Sequence, residues 1–265
     1  MSTPDHPGVD VAGPEGNPAI VFVHGAVFQR KMWAPQRNAL AGEFRVVAPD
    51  LPGHGQRSGT DFRMASALDV LGTVFEEVVD DAAILAGLSL GGYVATLYAQ
   101  QNPGQVEGLV LSGSSVNPVG RIETVTRAVS KAAELLTRSE RVQRKIEERA
   151  AEWVHSRPVG PETAEEIIAA GFYPRQFALA GPDLAGRDFR AAFADYPGPA
   201  LILNGEKDAV MRRGEENHAR AARNARVERV DRAGHTCNLD APEAYTRAVQ
   251  RFSRESTPGL AAGVD

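Results

Sequence analysis

The sequence predicts an α/β protein: a mostly parallel central sheet flanked by helices, with a helical block inserted before the last two strands. Three observations predict it. Six apolar runs of strand length are rich in Val, Ile, Leu and Ala without polar alternation, as in parallel strands covered on both faces. Segments of helical spacing separate most of them, the alternation that marks βαβ units. One interval, Val119–Asp195, has no strand-like run at all.

The strand candidates are Ile20–Val23, Arg45–Ala48, Ala82–Ala86, Gly108–Ser112, Ala200–Asn204 and Arg226–Val230. Helical candidates are Lys31–Ala41, Met64–Val79, Leu90–Gln101 and Ala241–Arg254. Pro103 stops the third, because proline cannot continue a helix. Inside the long interval, Val125, Val129, Ala132 and Leu136 follow helical spacing, as do Val142, Ile146, Ala150 and Trp153. It reads as two or more helices between the fourth and fifth strands, the alternative being a long crossover. The chain therefore divides into a first core part (1–118), a helical cap (119–195), a second core part (196–255) and a flexible tail (256–265) of small residues, Pro and Gly.

Composition narrows the class of function. At 265 residues the chain fits one large domain with an insertion. The 43% apolar and 24% charged shares are those of a globular protein. A net charge of −5 gives no general attraction to nucleic acid or anionic lipid. The lone Cys237 allows no internal disulfide. Met1–Gly16 lacks the apolar stretch of a secretory signal, and no run approaches the roughly 20 residues of a membrane span. We expect a cytoplasmic protein, monomer or homodimer, acting on a small molecule, with neither nucleic acid nor membrane as partner.

The strongest chemical signal is Gly87-Leu88-Ser89-Leu90-Gly91-Gly92, between a strand and a helix. Glycines two before and two after the serine permit a sharp turn, which thrusts the hydroxyl out at the end of the sheet. The helix start offers backbone N–H groups, Leu90's first, to a developing negative charge. A dinucleotide loop also turns from strand to helix on glycines, but it needs a glycine where Ser89 stands.

A serine hydroxyl needs a base. His235, in Ala233-Gly234-His235-Thr236, follows the last strand candidate, so it comes to the sheet edge from which Ser89 projects. Of the other histidines, His6 and His218 lie in a loose terminus and an Arg-rich polar helix and read as solvated. His155 falls in the insertion, and His24 and His54 in turns. Asp208, just past the strand Ala200–Asn204, is the candidate to accept the His235 Nδ1–H and fix its tautomer. Its neighbour Glu206 sits earlier in the turn. Asp240, ahead of Ala241-Pro242, reads as a helix N-cap.

With these residues in place, the chain resembles the α/β-hydrolase superfamily over nearly its whole length. The matching features come in order: Val23-His24-Gly25 with Trp33 downstream, Val47-Ala48-Pro49-Asp50-Leu51-Pro52-Gly53-His54-Gly55, Gly87-Leu88-Ser89-Leu90-Gly91-Gly92, and Gly234-His235 followed by Asp240-Ala241-Pro242. The resemblance implies the chain order Ser…Asp…His, no cofactor, and a helical cap, which 119–195 would supply. It implies an oxyanion hole pairing Leu90 with the residue after His24-Gly25, hence Ala26, with Val27 the alternative. The family's sheet usually opens with two antiparallel strands. Val9–Ala12 is the candidate for the second, while few residues remain for the first. Leu88 before the nucleophile resembles carboxylesterases and enol-lactone hydrolases.

Candidate pocket walls are Val27, Phe28, Leu88, Leu90 and Met211 from the core, with Trp153, Phe172, Tyr173 and Phe177 from the cap. The alternative for the cap aromatics is that they pack the cap onto the sheet. The expected activity is a Ser-His-Asp hydrolase cleaving a small or medium, largely apolar ester, thioester or lactone. Two alternatives stand beside it: a C–C hydrolase, lyase or perhydrolase with the same triad, and a hydrolase-fold receptor for a small ligand.

Overall fold

The computed structural model describes residues 6–79 and 81–257. Seven strands, β1 (Val9–Ala12), β2 (Ala19–Val23), β3 (Arg45–Pro49), β4 (Ala83–Leu88), β5 (Val106–Ser112), β6 (Ala200–Gly205) and β7 (Ala225–Val230), form one sheet in the order β1-β3-β2-β4-β5-β6-β7. All run parallel except β1, which pairs antiparallel with β3, Val9 opposite Pro49. Among the described residues β1 is the one strand before β2, so a first antiparallel strand is not seen there.

The pleat divides the apolar runs between two cores. Val21, Val23, Leu85 and Leu109 point to one face, and Ile20, Phe22, Ile84 and Val110 to the other. On the first face lie α2 (Met64–Glu77), α3 (Leu90–Gln101) and α8 (Phe189–Asp195). Helix α3 lies between the sheet, α2 and α8, and is buried nearly all round, from Leu90 to Ala99. Helices α1 (Ala34–Leu40) and α11 (Pro242–Ser256) cover the second face, where Trp33 lies 4.7 Å from Phe22 and 5.9 Å from Tyr245. β7 closes the sheet as an edge whose Arg226, Glu228 and Arg229 discourage further pairing.

Between β5 and β6 run five helices: α4 (Arg121–Thr137), α5 (Glu140–His155), α6 (Pro161–Ala169), α7 (Pro174–Leu184) and the core helix α8. Helices α4 and α7 pack closely because Gly181 leaves room for Ser130. A Cβ at Gly181 would stand 1.6 Å from the Ser130 Oγ. Beyond β6 come α9 (Ala209–Ala219) and the single turn α10 (Cys237–Asp240).

Two expectations need correction here. His218, on α9, is not solvated: it is buried, with its ring stacked 4.8 Å from that of Phe193. The polar stretch is one face of α9, and the histidine lies on the other. His6 is half-buried and stands 3.6 Å from Glu77. Helix α11 continues to Ser256, and Thr257 Oγ1 donates to Glu107 at 2.9 Å. The rest of the expected tail lies outside the described residues. Among the described residues, no helix is long and apolar enough to cross a membrane. Nor are three or more His, Cys, Asp or Glu side chains grouped to hold a metal ion.

Candidate active site

Strand order reverses at β2 and β4: β2 leads outward to β3, while β4 leads to β5 on the other side. A crevice opens where such connections part, outside the carboxyl ends of the strands. The loop after β2 and the turn after β4 therefore meet, bringing Ala26 beside Ser89.

Ser89 holds φ 55° and ψ −117°, a region that non-glycine residues rarely occupy. The surrounding glycines make the turn possible. A Cβ at Gly87 would stand 2.3 Å from the Gly91 carbonyl oxygen, and one at Gly91 would stand 2.1 Å from that of Val23. Ser89 N–H donates to Ser112 O at 2.7 Å, tying the turn to β5.

Ser89 Oγ lies 3.0 Å from His235 Nε2, and His235 Nδ1 lies 2.7 Å from Asp208 Oδ2. The Nδ1–H donates to the carboxylate, leaving Nε2 to accept the serine proton. Asp208 is also the N-cap of α9, accepting from the Met211 N–H at 3.3 Å. Burial works against its charge. The His235 hydrogen bond and charge, with the Met211 and Val210 N–H groups, outweigh that and hold its carboxyl below the usual range. The imidazole leans on Gly113 (φ +59°), where a Cβ would approach His235 Cε1 to 2.8 Å. That supporting glycine has no sequence signal, because only the tertiary fold brings β5 to the histidine.

The neighbouring carboxylates have other duties. Glu206 accepts from the Arg232 N–H at 2.9 Å, steadying a residue at φ 61°. Asp240 is not a helix N-cap: Ala241 holds that position for α11. One Asp240 oxygen accepts from the Gly234 N–H at 2.7 Å, the other from Arg157 of the α5–α6 connection at 2.6 Å. It thereby joins the histidine loop to the inserted helices. Cys237 is fully buried, its thiol pushed up to about 12 by burial.

Ala26 and Leu90 flank Ser89, and among the described residues neither backbone N–H donates to a protein acceptor. His24 and His54 brace this loop. Leu51 N–H donates to His24 Nε2 at 2.9 Å, so its proton sits on Nδ1, facing Gly25 O. His54 lies 2.9 Å from both the Ala26 and Pro52 carbonyls. Burial is the main cause that lowers the pKa of both rings. Asp50 accepts from the Arg30 N–H at 3.0 Å and the Gln56 N–H at 2.8 Å, pinning the loops after β2 and β3 together.

Ser89 and His235 open into a cavity of about 310 Å³ between the core and helices α4 and α7. Of the expected walls it takes in Leu90, Met211 and Phe177. Val27, Phe28, Leu88, Trp153 and Phe172 lie elsewhere, a correction with a clear cause: all five belong to the second core, around Trp33. Leu88 ends β4 on that face, and Phe28 packs 5.6 Å from Phe172 and 6.1 Å from Trp153, seating α5 and the chain before α7. Tyr173 joins that seam, its N–H donating to Val27 O at 2.7 Å. The walls instead include Tyr93, Val116 and a stripe of α4. His155 stays outside, exposed and 3.6 Å from Glu165.

A family profile described as "Alpha/beta hydrolase family" matches residues 20–248. The chain is 30% identical over 257 residues to the "Dihydrolipoyllysine-residue acetyltransferase component of acetoin cleaving system" of Pseudomonas putida, across 92% of this chain but only 65% of that protein. It is 26% identical to "Carboxylesterase YbfK" of Bacillus subtilis, over 91% of this chain and 82% of the relative. Among solved structures, a thermophilic esterase from Thermogutta terrifontis superposes with a TM-score of 0.73 at 26% identity, covering 97% of this chain and 98% of that one.

Proposed function

The chain belongs to the alpha/beta hydrolase family and is a hydrolase; on that premise we propose that it cleaves carboxylic esters, thioesters or lactones through an acyl-enzyme on Ser89. One observation carries the reading: the unbroken relay Ser89 Oγ to His235 Nε2 at 3.0 Å and His235 Nδ1 to Asp208 at 2.7 Å, at the mouth of an apolar cavity.

In this mechanism His235 takes the Ser89 proton as Oγ bonds to the acyl carbon. The negative charge passes to the former carbonyl oxygen, which the Leu90 and Ala26 N–H groups hold. The tetrahedral centre collapses by breaking the bond to the leaving oxygen or, in a thioester, sulfur, and His235 gives its proton to the departing alcohol or thiol. Water then enters by the same route in reverse and frees the acid. Asp208 stays ionised throughout, orienting the ring and stabilising the imidazolium. Nucleophile, base and oxyanion donors are all supplied by the chain itself.

The test is covalent. A fluorophosphonate should label Ser89 alone, and Ser89→Ala should lower kcat by a factor on the order of 10⁴ to 10⁶. An adduct mapped elsewhere, or full activity in the variant, would overturn the reading.

A further inference from the structure

We infer that the groove between α4 and α7 is an acyl subsite selective for an uncharged hydrocarbon chain of about eight to ten carbons, an inference that rests on Ser89 being the nucleophile. Three directions leave the carbon bonded to Ser89. One points to the Ala26 and Leu90 N–H groups and is reserved for the oxyanion. A second passes His235, which must protonate the leaving oxygen, and here Val210 and Met211 of α9 form the wall. The third is left for the acyl chain, and it opens between α4 and α7.

That groove is apolar in floor and rim. Ile122, Val125 and Val129 face it from α4, and Phe177, Ala180 and Leu184 from α7, one stripe per helix. Val125, Val129 and Phe177 are 59%, 49% and 47% exposed, an apolar rim that the other described residues leave uncovered. Such a surface beside a nucleophile is explained by a ligand that covers it.

The hydroxyls in the groove are already committed. Thr126 Oγ1 donates to Ile122 O at 2.9 Å, Ser130 Oγ to Thr126 O at 2.8 Å, and Tyr93 Oη to Val116 O at 2.8 Å. Among the described residues, no Lys or Arg lines the cavity. A carboxylate on the chain would lose its water with no cation and no uncommitted hydroxyl proton to receive it. The groove therefore selects hydrocarbon over an ionised chain.

Its length sets the carbon count. From Ile122 to Ser130 the helix rises about 12 Å. Carbon–carbon bonds near 1.5 Å advance an extended chain by roughly 1.3 Å each, so about nine fit.

The experiment is a series of p-nitrophenyl esters, from acetate to dodecanoate, on the full chain. kcat/KM should climb by up to about fourfold per methylene, the hydrophobic transfer value, and level off at eight to ten carbons. The mono-p-nitrophenyl ester of octanedioic acid should be cleaved at least tenfold less well than the octanoate ester. Val129→Trp and Val125→Trp, both at exposed positions that can take a larger side chain, should each cut the octanoate-to-acetate ratio tenfold or more. A flat chain-length profile, equal use of the dicarboxylate, or an unchanged ratio in both variants overturns the subsite. If fluorophosphonate still labels Ser89 in that case, the hydrolase reading survives alone. No label and no turnover of any ester would remove both.

Discussion

Three carboxylates meet the loop that carries His235, and their partners distinguish them. Asp208 reaches Nδ1 at 2.7 Å, whereas Glu206 and Asp240 meet backbone N–H groups of the same loop. Asp208→Asn should keep the shape of the site but misorient the ring, lowering kcat by up to about 10⁴-fold. Glu206→Gln should stay near the parent rate. Asp240→Asn keeps an oxygen for Gly234 and loses the charge facing Arg157, so it should cost about 1–2 kcal/mol of stability with little change in kcat. Kinetics beside thermal denaturation of each variant would separate them. A near-normal Asp208→Asn with a collapsed Asp240→Asn would transfer the role. Ser89, Asp208 and His235 were legible because each sits in a turn next to an apolar run. The role of Asp240 was not, since its partners Gly234 and Arg157 come together only in the fold.

Helices and strands were readable where they were long and evenly patterned. All six strand candidates lie in the sheet, and Val9–Ala12 is the antiparallel edge. The insertion was harder, since α6, α7 and α8 span only 9, 11 and 7 residues, too short for a periodic signal. Periodicity in α4 named its apolar face but could not say what that face meets. Here it is cavity and open surface. The strand–turn–helix around Ser89 makes a sharper forecast. Gly91→Ala would force a Cβ to 2.1 Å from the Val23 carbonyl oxygen, and backbone on both sides cannot yield. It should cost at least 1–3 kcal/mol, the overpacking range. Gly104→Ala, with nothing within 4 Å of the new carbon, is the control. Equal melting temperatures for the two would show that the turn has slack.

Across the whole molecule, histidine burial sets the response to acid. His24, His54 and His218 are all buried, with pKa values lowered chiefly by desolvation, His218 to about 4. Neither His218 ring nitrogen has a partner among the described residues. Between its unfolded value near 6.5 and about 4, the unfolded chain binds the proton and the folded chain does not. Stability therefore rises with pH through that window and is lost as pH falls. His218→Phe should preserve the stack on Phe193 and flatten the loss by an amount on the order of 3 kcal/mol. Denaturant unfolding of both proteins at pH 7.5 and 4.5 reads this directly, and parallel curves would refute it. The backbone of Ser89 has a different global consequence. Conformations of that kind cost about 1–3 kcal/mol, a penalty that glycine avoids. Ser89→Ala keeps the strained backbone, while Ser89→Gly releases it, less about 0.5–1 kcal/mol for glycine's looser unfolded chain. The glycine variant should melt about 2–4 °C above the alanine one. Selection for stability alone would favour glycine at position 89, so under the proposed mechanism the strain is the cost of keeping a hydroxyl there.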